Sequence, residues 1–311
     1  MAISEILTAL MKIFIIIIPG YILSKKKILN DDQAKGISSI VLNVTWPCLV
    51  VASLQMPFSE ELLVNSGYII VAITIIFFAA YLISTLTCKA IKMNKQKAYL
   101  FTFMLLFSNT GFMGIPVAGA LYGSEGIFYA ALRDSLGDIF VFTIGMMLIR
   151  KSTAAEKAHM NPKELLTPGF FSIVIGIALF LLNIELPNFI GDSLDIIGSA
   201  TTPLAMLIIG LQLGKVNFKE LLGDGKLYLL SALKLIAMPT LILLALHFII
   251  GDLSLFLKLI ILEEAMPVAT CTVIFTEQYN GDANFAAKGV LLSTVLSIIT
   301  IPIFAILIEM L

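Results

Sequence analysis

The sequence predicts an all-α polytopic membrane protein: ten transmembrane helices in two inverted five-helix repeats, with broken crossing helices 4 and 9. Three observations lead to this fold class, namely an apolar composition, an alternation of basic loops, and motifs that recur in the two halves. Of the 311 residues, 59% are hydrophobic and only 13% are charged. An ordinary soluble domain has about 25% charged residues, so most of this chain is expected to lie within a bilayer.

Ten apolar stretches are long enough to cross a bilayer, which takes about 20 helical residues. We place the spans at about residues 5–24, 33–55, 66–89, 97–121, 126–149, 168–185, 190–213, 226–249, 253–276 and 284–309. The first stretch is expected to remain as a span, because its positive charges follow the apolar segment and a signal peptide has them before it. Little chain is left for a soluble domain.

Lysine and arginine residues alternate between the loops and give the predicted orientation. The loops after spans one, three, five, seven and nine are basic, whereas the intervening loops, such as LYGSEG at 121–126, carry no basic residue. The basic residues are Lys25, Lys26, Lys27 and Lys35; Lys89, Lys92, Lys95 and Lys97; Arg150, Lys151, Lys157 and Lys163; Lys215, Lys219 and Lys226; and Lys288. Because basic residues accumulate in cytoplasmic loops, we expect a multi-pass protein of the cell membrane with both termini outside.

The longest polar stretch, RKSTAAEKAHMNPKE from Arg150, separates five spans from five. We therefore assign residues 1–150 to a first five-helix repeat, 151–166 to a cytoplasmic linker and 167–311 to a second repeat. An odd number of spans per repeat makes the two halves antiparallel. Inverted repeats of this kind are typical of secondary transporters.

Two motifs recur in the same order in both halves. A Thr-x-Pro opens the second span at Thr45 and the seventh span at Thr201. IPVA at 115–118 in the fourth span matches MPVA at 266–269 in the ninth. Their shared order indicates an internal repeat.

The fourth and ninth spans are expected to break near their middle. Pro116 has no backbone N–H, while Gly111 and Gly114 weaken a helix and allow close backbone approach. Pro267, flanked by Met266 and Ala269, predicts an equivalent break in the ninth span. Broken membrane helices are tolerated where they are buried in protein or line a cavity, and their ends can hold ions or polar ligands. The alternative is that these prolines are ordinary kinks, the interpretation we give to Pro19, Pro239 and Pro302.

The segment NTGFMGIP, Asn109–Pro116, resembles the Asn-x-x-x-x-Gly-x-Pro signature in helix 4 of the auxin efflux carrier family, which includes plant auxin exporters and bacterial malate permeases. The similarity extends along the whole chain. Three further segments resemble helices 7, 8 and 9 of that family: TTPLAMLIIGLQL at 201–213, KLIAMP at 234–239 and AMPVATCTVIFTEQYNGD at 265–282. The short central loop is similar to that of the prokaryotic members.

This resemblance implies an elevator transporter divided into two parts. Helices 1, 2, 6 and 7 would form a scaffold that dimerises, and helices 3–5 and 8–10 a transport domain. The expected partners are a small organic anion, a coupling proton or sodium ion, the lipid bilayer and a second copy of the chain.

Charged residues within spans are costly and often functional. Asp138 lies near the middle of the fifth span, with Asp134 one turn earlier and Arg133 beside it. Either Arg133 forms a structural ion pair with an acid of another helix, or a carboxylate here couples transport to a proton or ion. By depth, Asp138 is the better candidate for coupling.

Three further charged residues lie near the predicted crossing. Lys234, in the eighth span, could neutralise Asp138 or attract an anionic substrate. Glu263 and Glu264 precede the ninth-span break, and at least one is expected to line the cavity or pair with a lysine.

These observations favour a secondary transporter of a small organic anion such as malate or an auxin-like acid. The alternatives are a sodium-coupled carrier of the bile-acid-symporter type and a ligand-sensing membrane receptor. An intramembrane aspartyl protease is disfavoured, because SLGD at 135–138 departs from the GxGD motif at its first glycine. Three cysteines without a short metal spacing predict no metal site; no cofactor is expected, and the net charge of −1 gives no reason to expect nucleic acid.

Overall fold

The computed structural model describes residues 3–55, 59–153, 167–214, 224–251 and 253–311. These ranges contain helices and one isolated β-bridge, and no strand forms within them. The α-helices are α1 (Ile3–Ile15), α2 (Ile17–Lys25), α3 (Asp31–Ile40), α4 (Trp46–Ser53), α5 (Glu60–Ala90), α6 (Lys95–Leu106), α7 (Ile115–Phe140), α8 (Met146–Lys151), α9 (Pro168–Leu181), α10 (Asn188–Ser199), α11 (Thr201–Gly214), α12 (Gly225–Ala232), α13 (Met238–Ile250), α14 (Leu255–Glu264), α15 (Cys271–Gln278) and α16 (Ala283–Met310). Most of the predicted linker 151–166 lies outside the described residues, as do Lys157, Lys163, Lys215 and Lys219.

Six helical stretches in the described residues are long and apolar enough to cross a membrane. They are Ile3–Lys25, Asp32–Ser53, Leu63–Ala90, Asn188–Gly214, Gly225–Ile250 and Ala283–Met310, and Pro168–Leu181 is a shorter apolar helix. The predicted spans 97–121 and 126–149 are covered by α6, α7 and α8, and α7 has non-helical backbone at Gly123 (φ +62°), between the two spans. The predicted span 253–276 is covered by the shorter helices α14 and α15. The protein is therefore an all-α, multi-pass membrane protein.

Four π-helical segments occur in the described residues, and three of them have the same relation to a proline. The segments are π1 (Val41–Thr45), π2 (Thr110–Gly114), π3 (Val141–Gly145) and π4 (Leu233–Ala237). Pro47, Pro116 and Pro239 each follow the end of a π segment by two residues. In π1 and π4, which have an α-helix on both sides, the proline cannot donate to the preceding turn and its ring crowds that turn. The wider π turn relieves the clash without ending the helix.

The described chain forms two compact units, and each takes segments from both halves of the sequence. Unit 1 comprises the described residues of Met1–Tyr68, Gly111–Ser135 and Lys163–Val216. Unit 2 comprises those of Ile69–Thr110, Leu136–Pro162 and Asn217–Leu311.

Unit 1 is organised around a close contact between α2 and α11. Gly20 and Ser24 on α2 face Gly210 and Gly214 on α11. A Cβ added to Gly210 would lie 2.9 Å from the Cα of Gly20 and would collide with the carbonyl oxygen of Ile17. Small residues four apart let membrane helices approach closely and gain van der Waals contact, so these glycines allow the contact.

Helix α4 is packed in the same unit by glycines from two other helices. Gly169 at the start of α9 contacts the indole of Trp46, and an added Cβ on Gly198 of α10 would lie 2.8 Å from the Cα of Leu49.

A polar contact in unit 1 joins α5 to α7: the Asn65 amide donates to the Tyr129 hydroxyl at 3.1 Å.

Unit 2 contains α5 from Ile69 onward, α6, α8 and α12–α16, together with the end of α7. An aromatic cluster lies within it: the Phe77 ring stacks on Phe140 at 4.4 Å and contacts Phe107 at 5.1 Å, while Phe107 contacts Phe103 at 4.6 Å. Phe107 directly follows the last residue of α6, so this cluster lies at one end of an interrupted helix.

Candidate functional site

The fourth and ninth predicted spans are interrupted, and the two interruptions lie against each other in unit 2. Helix α6 ends at Leu106 and α14 ends at Glu264. The segments that follow pair through an antiparallel bridge between Ser108 and Val268. Two short non-helical segments thus pair between the half-helices.

Backbone hydrogen bonds at the crossing replace those that the helices lose. In a continuous helix the Asn109 N–H would bond to the carbonyl of Leu105, but here it donates to the Pro267 carbonyl at 2.7 Å. The Ala269 N–H donates to the Phe107 carbonyl at 3.0 Å. Since unpaired backbone is costly in a membrane, this exchange explains how two breaks can persist where one alone would be costly.

The break in the fourth span lies nearer the N-terminus than the position predicted from Pro116. Non-helical backbone occupies residues 107–109, and π2 then leads into α7, where Pro116 is the second residue. Proline is compatible with the first turn of a helix, where its missing N–H has no helical partner. In the ninth span, by contrast, Pro267 lies within the break itself, between Met266 and Ala269, and all three residues are buried.

Two hydrogen-bond donors at the crossing are buried and lack a partner among the described residues. They are the side-chain amide nitrogen of Asn109 and the hydroxyl of Ser108, whose residues are 3% and 7% exposed. Buried polar groups are normally hydrogen-bonded. The pair therefore marks a place where a polar ligand or water would be stabilised. Ser108 is not among the site residues predicted from the sequence, although it directly precedes the Asn109 motif.

Lys234 is buried beside both half-helix ends. Its side chain is 0% exposed, and its Nζ donates to the Leu105 carbonyl at 2.8 Å. The same Nζ lies 3.7 Å from Oε2 of Glu264. The Leu105 carbonyl is the one that Asn109 leaves without its helical partner, so the ammonium caps α6 and pairs with the last residue of α14.

The other charged candidates lie as follows. Glu263 is 1% exposed and adjoins Glu264 at the end of α14. Arg133 is buried on α7, whereas Asp134 and Asp138 on the same helix are partly exposed. An added Cβ on Gly111 would lie 3.4 Å from Oδ2 of Asp134, which places this carboxylate beside the segment that follows the break. Gly114 is buried at the end of π2.

A second polar cluster lies at another end of unit 2. A cavity of about 320 Å³ is lined by residues of three connections and their adjoining helices, including Asn94, Lys97, Thr153 and Asp282. Lys97 and Asp282 form an ion pair at 3.4 Å. Asp282 also caps α16 by accepting from the Phe285 N–H at 3.0 Å. The opposite charges therefore neutralise each other in this cavity.

Comparison with known proteins extends over almost the whole chain. The sequence model of a family described as Membrane transport protein matches residues 5–305. An uncharacterized transporter of Methanothermobacter thermautotrophicus is 23% identical over 298 residues, covering 95% of this chain and 96% of the relative. A putative malonate transporter of Rhizobium meliloti is 21% identical, covering 96% and 94%.

A mouse relative has a different description. The lysosomal cholesterol signaling protein of Mus musculus is 25% identical over 320 residues, which cover 96% of this chain but 37% of that protein. The matched family and the transporter relatives are transporters and not enzymes. With 5–305 matched, the chain belongs to the membrane transport protein family, the auxin efflux carrier family that its motifs resemble.

Proposed function

We propose that this membrane transporter is a secondary carrier of a small organic anion, with its substrate site at the crossing of residues 107–110 and 265–270. The observation that carries the proposal is the pair of buried donors, Asn109 and Ser108, beside two interrupted helices. A carboxylate accepts hydrogen bonds from an amide and a hydroxyl, and half-helix ends are recurrent ligand sites in transporters. The relative described as a putative malonate transporter supports the same chemical class.

The finer architecture is proposed from the sequence pattern and the family. Ten helices in two inverted repeats, both termini outside the cell membrane, and a homodimer would follow from the basic loops and the resemblance. In the elevator arrangement, helices 1, 2, 6 and 7 form the scaffold. All four lie in unit 1 and contact one another there, through α2 with α11 and α4 with α9 and α10, which supports this grouping. Most of the proposed transport part, helices 3–5 and 8–10, lies in unit 2, while residues 111–135 lie in unit 1.

A carboxylate of the fifth span is proposed to couple transport to a proton. The depth of Asp138 in the predicted span favours this residue, while an added Cβ on Gly111 would lie 3.4 Å from Oδ2 of Asp134 within unit 1. The variants Asp134→Asn and Asp138→Asn, made separately, distinguish the two candidates. The variant that abolishes the response to an imposed pH gradient, while substrate exchange persists, identifies the coupling group. A gradient response in both variants equal to that of the wild type removes these residues from coupling.

Uptake into proteoliposomes tests the proposed function. We expect saturable uptake of radiolabelled malonate, malate or indole-3-acetate, and Asn109→Ala should reduce it by about tenfold, the equivalent of one hydrogen bond to a charged group at about 1.5 kcal/mol. Asn43→Ala is the matched control, because the Asn43 amide is exposed and bonds within its own helix to Ser39. Equal loss in both variants, or uptake unaffected by Asn109→Ala, contradicts a substrate site at the crossing.

The receptor alternative has one observation in its favour, namely the relative described as a signaling protein. A receptor that does not transport would bind these acids without moving them. Binding of an acid to the purified protein, measured by a shift in thermal unfolding, together with absent uptake in the same preparation, would favour it.

A further inference from the structure

The crossing contains a cation supplied by the chain itself. Two α-helices, α6 and α14, end here, and a helix C-terminus has the negative end of the helix dipole and free carbonyl groups. Glu263 and Glu264 add two buried carboxyl groups at the end of α14. The C-terminal ends of α6 and α14 therefore stabilise positive charge.

Carbonyl and carboxylate oxygens at half-helix ends are the ligands that coordinate sodium in transporters with interrupted helices. In this chain, Lys234 Nζ donates to one such carbonyl, that of Leu105, at 2.8 Å, and lies 3.7 Å from the Glu264 carboxylate. An ammonium has three donors and no acceptor, so it satisfies the same oxygens as a metal cation. Its complete burial leaves water out of this contact.

The position of Lys234 follows from the sequence around it. Lys234 lies in π4, the wide turn that precedes Pro239. A residue within a π turn directs its side chain differently from a residue at the same position of a regular α-helix. The long lysine side chain can then extend from the span to the end of α6 without becoming exposed.

We propose that the Lys234 ammonium is the resident cation of the crossing and takes the place of a bound sodium ion there. This deepens the proposed function, on which it rests, by removing sodium from the coupling alternatives at this site. The charge is covalent and is not released in a transport cycle. Lys234 is accordingly a positioning residue that stabilises the half-helix ends, and the substrate anion is bound by other groups.

Thermal unfolding of the purified protein in nanodiscs tests the proposal without any substrate. We expect the Tm of the wild type to be equal in sodium chloride and choline chloride at matched ionic strength. Lys234→Met keeps a long unbranched side chain but removes the charge. Its Tm in choline chloride should fall by about 6 °C or more, because breaking a buried pair leaves a carboxylate without its cation, and sodium should then raise it by mass action.

Three further variants isolate the cause. Lys258→Met is the matched control, since Lys258 forms an ion pair with Glu309 at 3.1 Å in the same unit but is 22% exposed; its Tm should change little and should not respond to sodium. Lys234→Arg retains the charge and should stay insensitive to sodium. Lys234→Met combined with Glu264→Gln removes the anionic ligand, and its sodium response should be lost.

Two results overturn the proposal: a sodium-selective rise in the Tm of the wild type, or a Lys234→Met variant whose sodium response equals that of Lys258→Met. If Lys234→Met does not fold, the wild type and Lys234→Arg still decide, because a sodium response in either contradicts a resident cation. Failure of malonate uptake would leave these outcomes unchanged, so the cation proposal and the transport proposal are tested separately.

Discussion

Two helix contacts, one in each unit, are made by opposite means. In unit 1, α2 meets α11 where side chains are absent, at Gly20 and Gly210. In unit 2, the end of α6 is contacted by a long, charged side chain, that of Lys234. Lipid gives little hydrophobic drive for helices to associate, so a membrane protein must use either close van der Waals packing or strong polar contacts.

The difference indicates what each region can do. A glycine contact is specified by shape alone and has no group that could bind an ion or substrate. The crossing is specified by carbonyls, amides and charges, which interact strongly in an apolar environment and are costly if unsatisfied. The contact between α2 and α11 is therefore suited to rigid support, and the crossing is suited to binding a ligand.

The largest effect is expected from breaking the glycine contact. Gly210→Ala places a Cβ against the Ile17 carbonyl, which is backbone and cannot rotate away. We expect a loss of about 3 kcal/mol in unfolding free energy, at the upper end of overpacking costs, measured by denaturant unfolding in detergent. Gly36→Ala is the control, since Gly36 on α3 has nothing within 4 Å; it should be neutral or slightly stabilising. Equal stability of the two variants would mean that the contact is not close.

A smaller effect is expected from closing one break of the crossing. Pro267→Ala supplies an N–H that can bond to the Glu263 carbonyl and extend α14, in competition with the paired segments. We expect the initial uptake rate to fall by about tenfold, or roughly 1.4 kcal/mol. Pro302→Ala, within the continuous helix α16 of the same unit, should retain uptake. Comparable loss in both variants would indicate a general effect of proline removal on folding.

The smallest effect compares two threonines that are both 0% exposed. The Thr201 hydroxyl in unit 1 has no partner among the described residues, whereas the Thr272 hydroxyl in unit 2 donates to the Ala269 carbonyl at 2.6 Å. Thr201→Val should be neutral or stabilising, and Thr272→Val should cost about 1 kcal/mol, as measured by unfolding. The opposite order would contradict the division between shape and polar contacts.

The sequence predicted much of this molecule because its strongest signals are local. Apolar length and the proline and glycine residues of 108–119 and 265–270 indicated the helices and the interruptions, since both depend on neighbours along the chain. The position of the first break was displaced from Pro116 to 107–109, because proline is acceptable in a first helical turn and tertiary pairing with Pro267 decides where the helix ends. Ten spans, the repeat and both termini outside stay predictions.

The partners of charged residues were less accessible to sequence reasoning. Lys234 lies 129 positions from Leu105, and one sequence offers no means of pairing a lysine with a distant carbonyl that becomes available only after a helix breaks. Glu263 and Glu264 were equivalent in the sequence for the same reason. That Glu264 pairs with Lys234 follows from helix geometry, because neighbouring residues on a helix point in different directions.

The π segments also affect how the sequence of a span is read. A π turn contains one residue more than the helix around it requires, and each residue of an α-helix corresponds to a rotation of about 100°. If the α-helical period of α12 is continued through Leu233–Ala237 into α13, the lipid-facing stripe of α13 is therefore not where that period places it. Deleting a single residue there would bring the two stripes into one phase and would rotate the second half of the span by about a quarter of a circle. A deletion of one residue in such a span can therefore change which side chains face the protein.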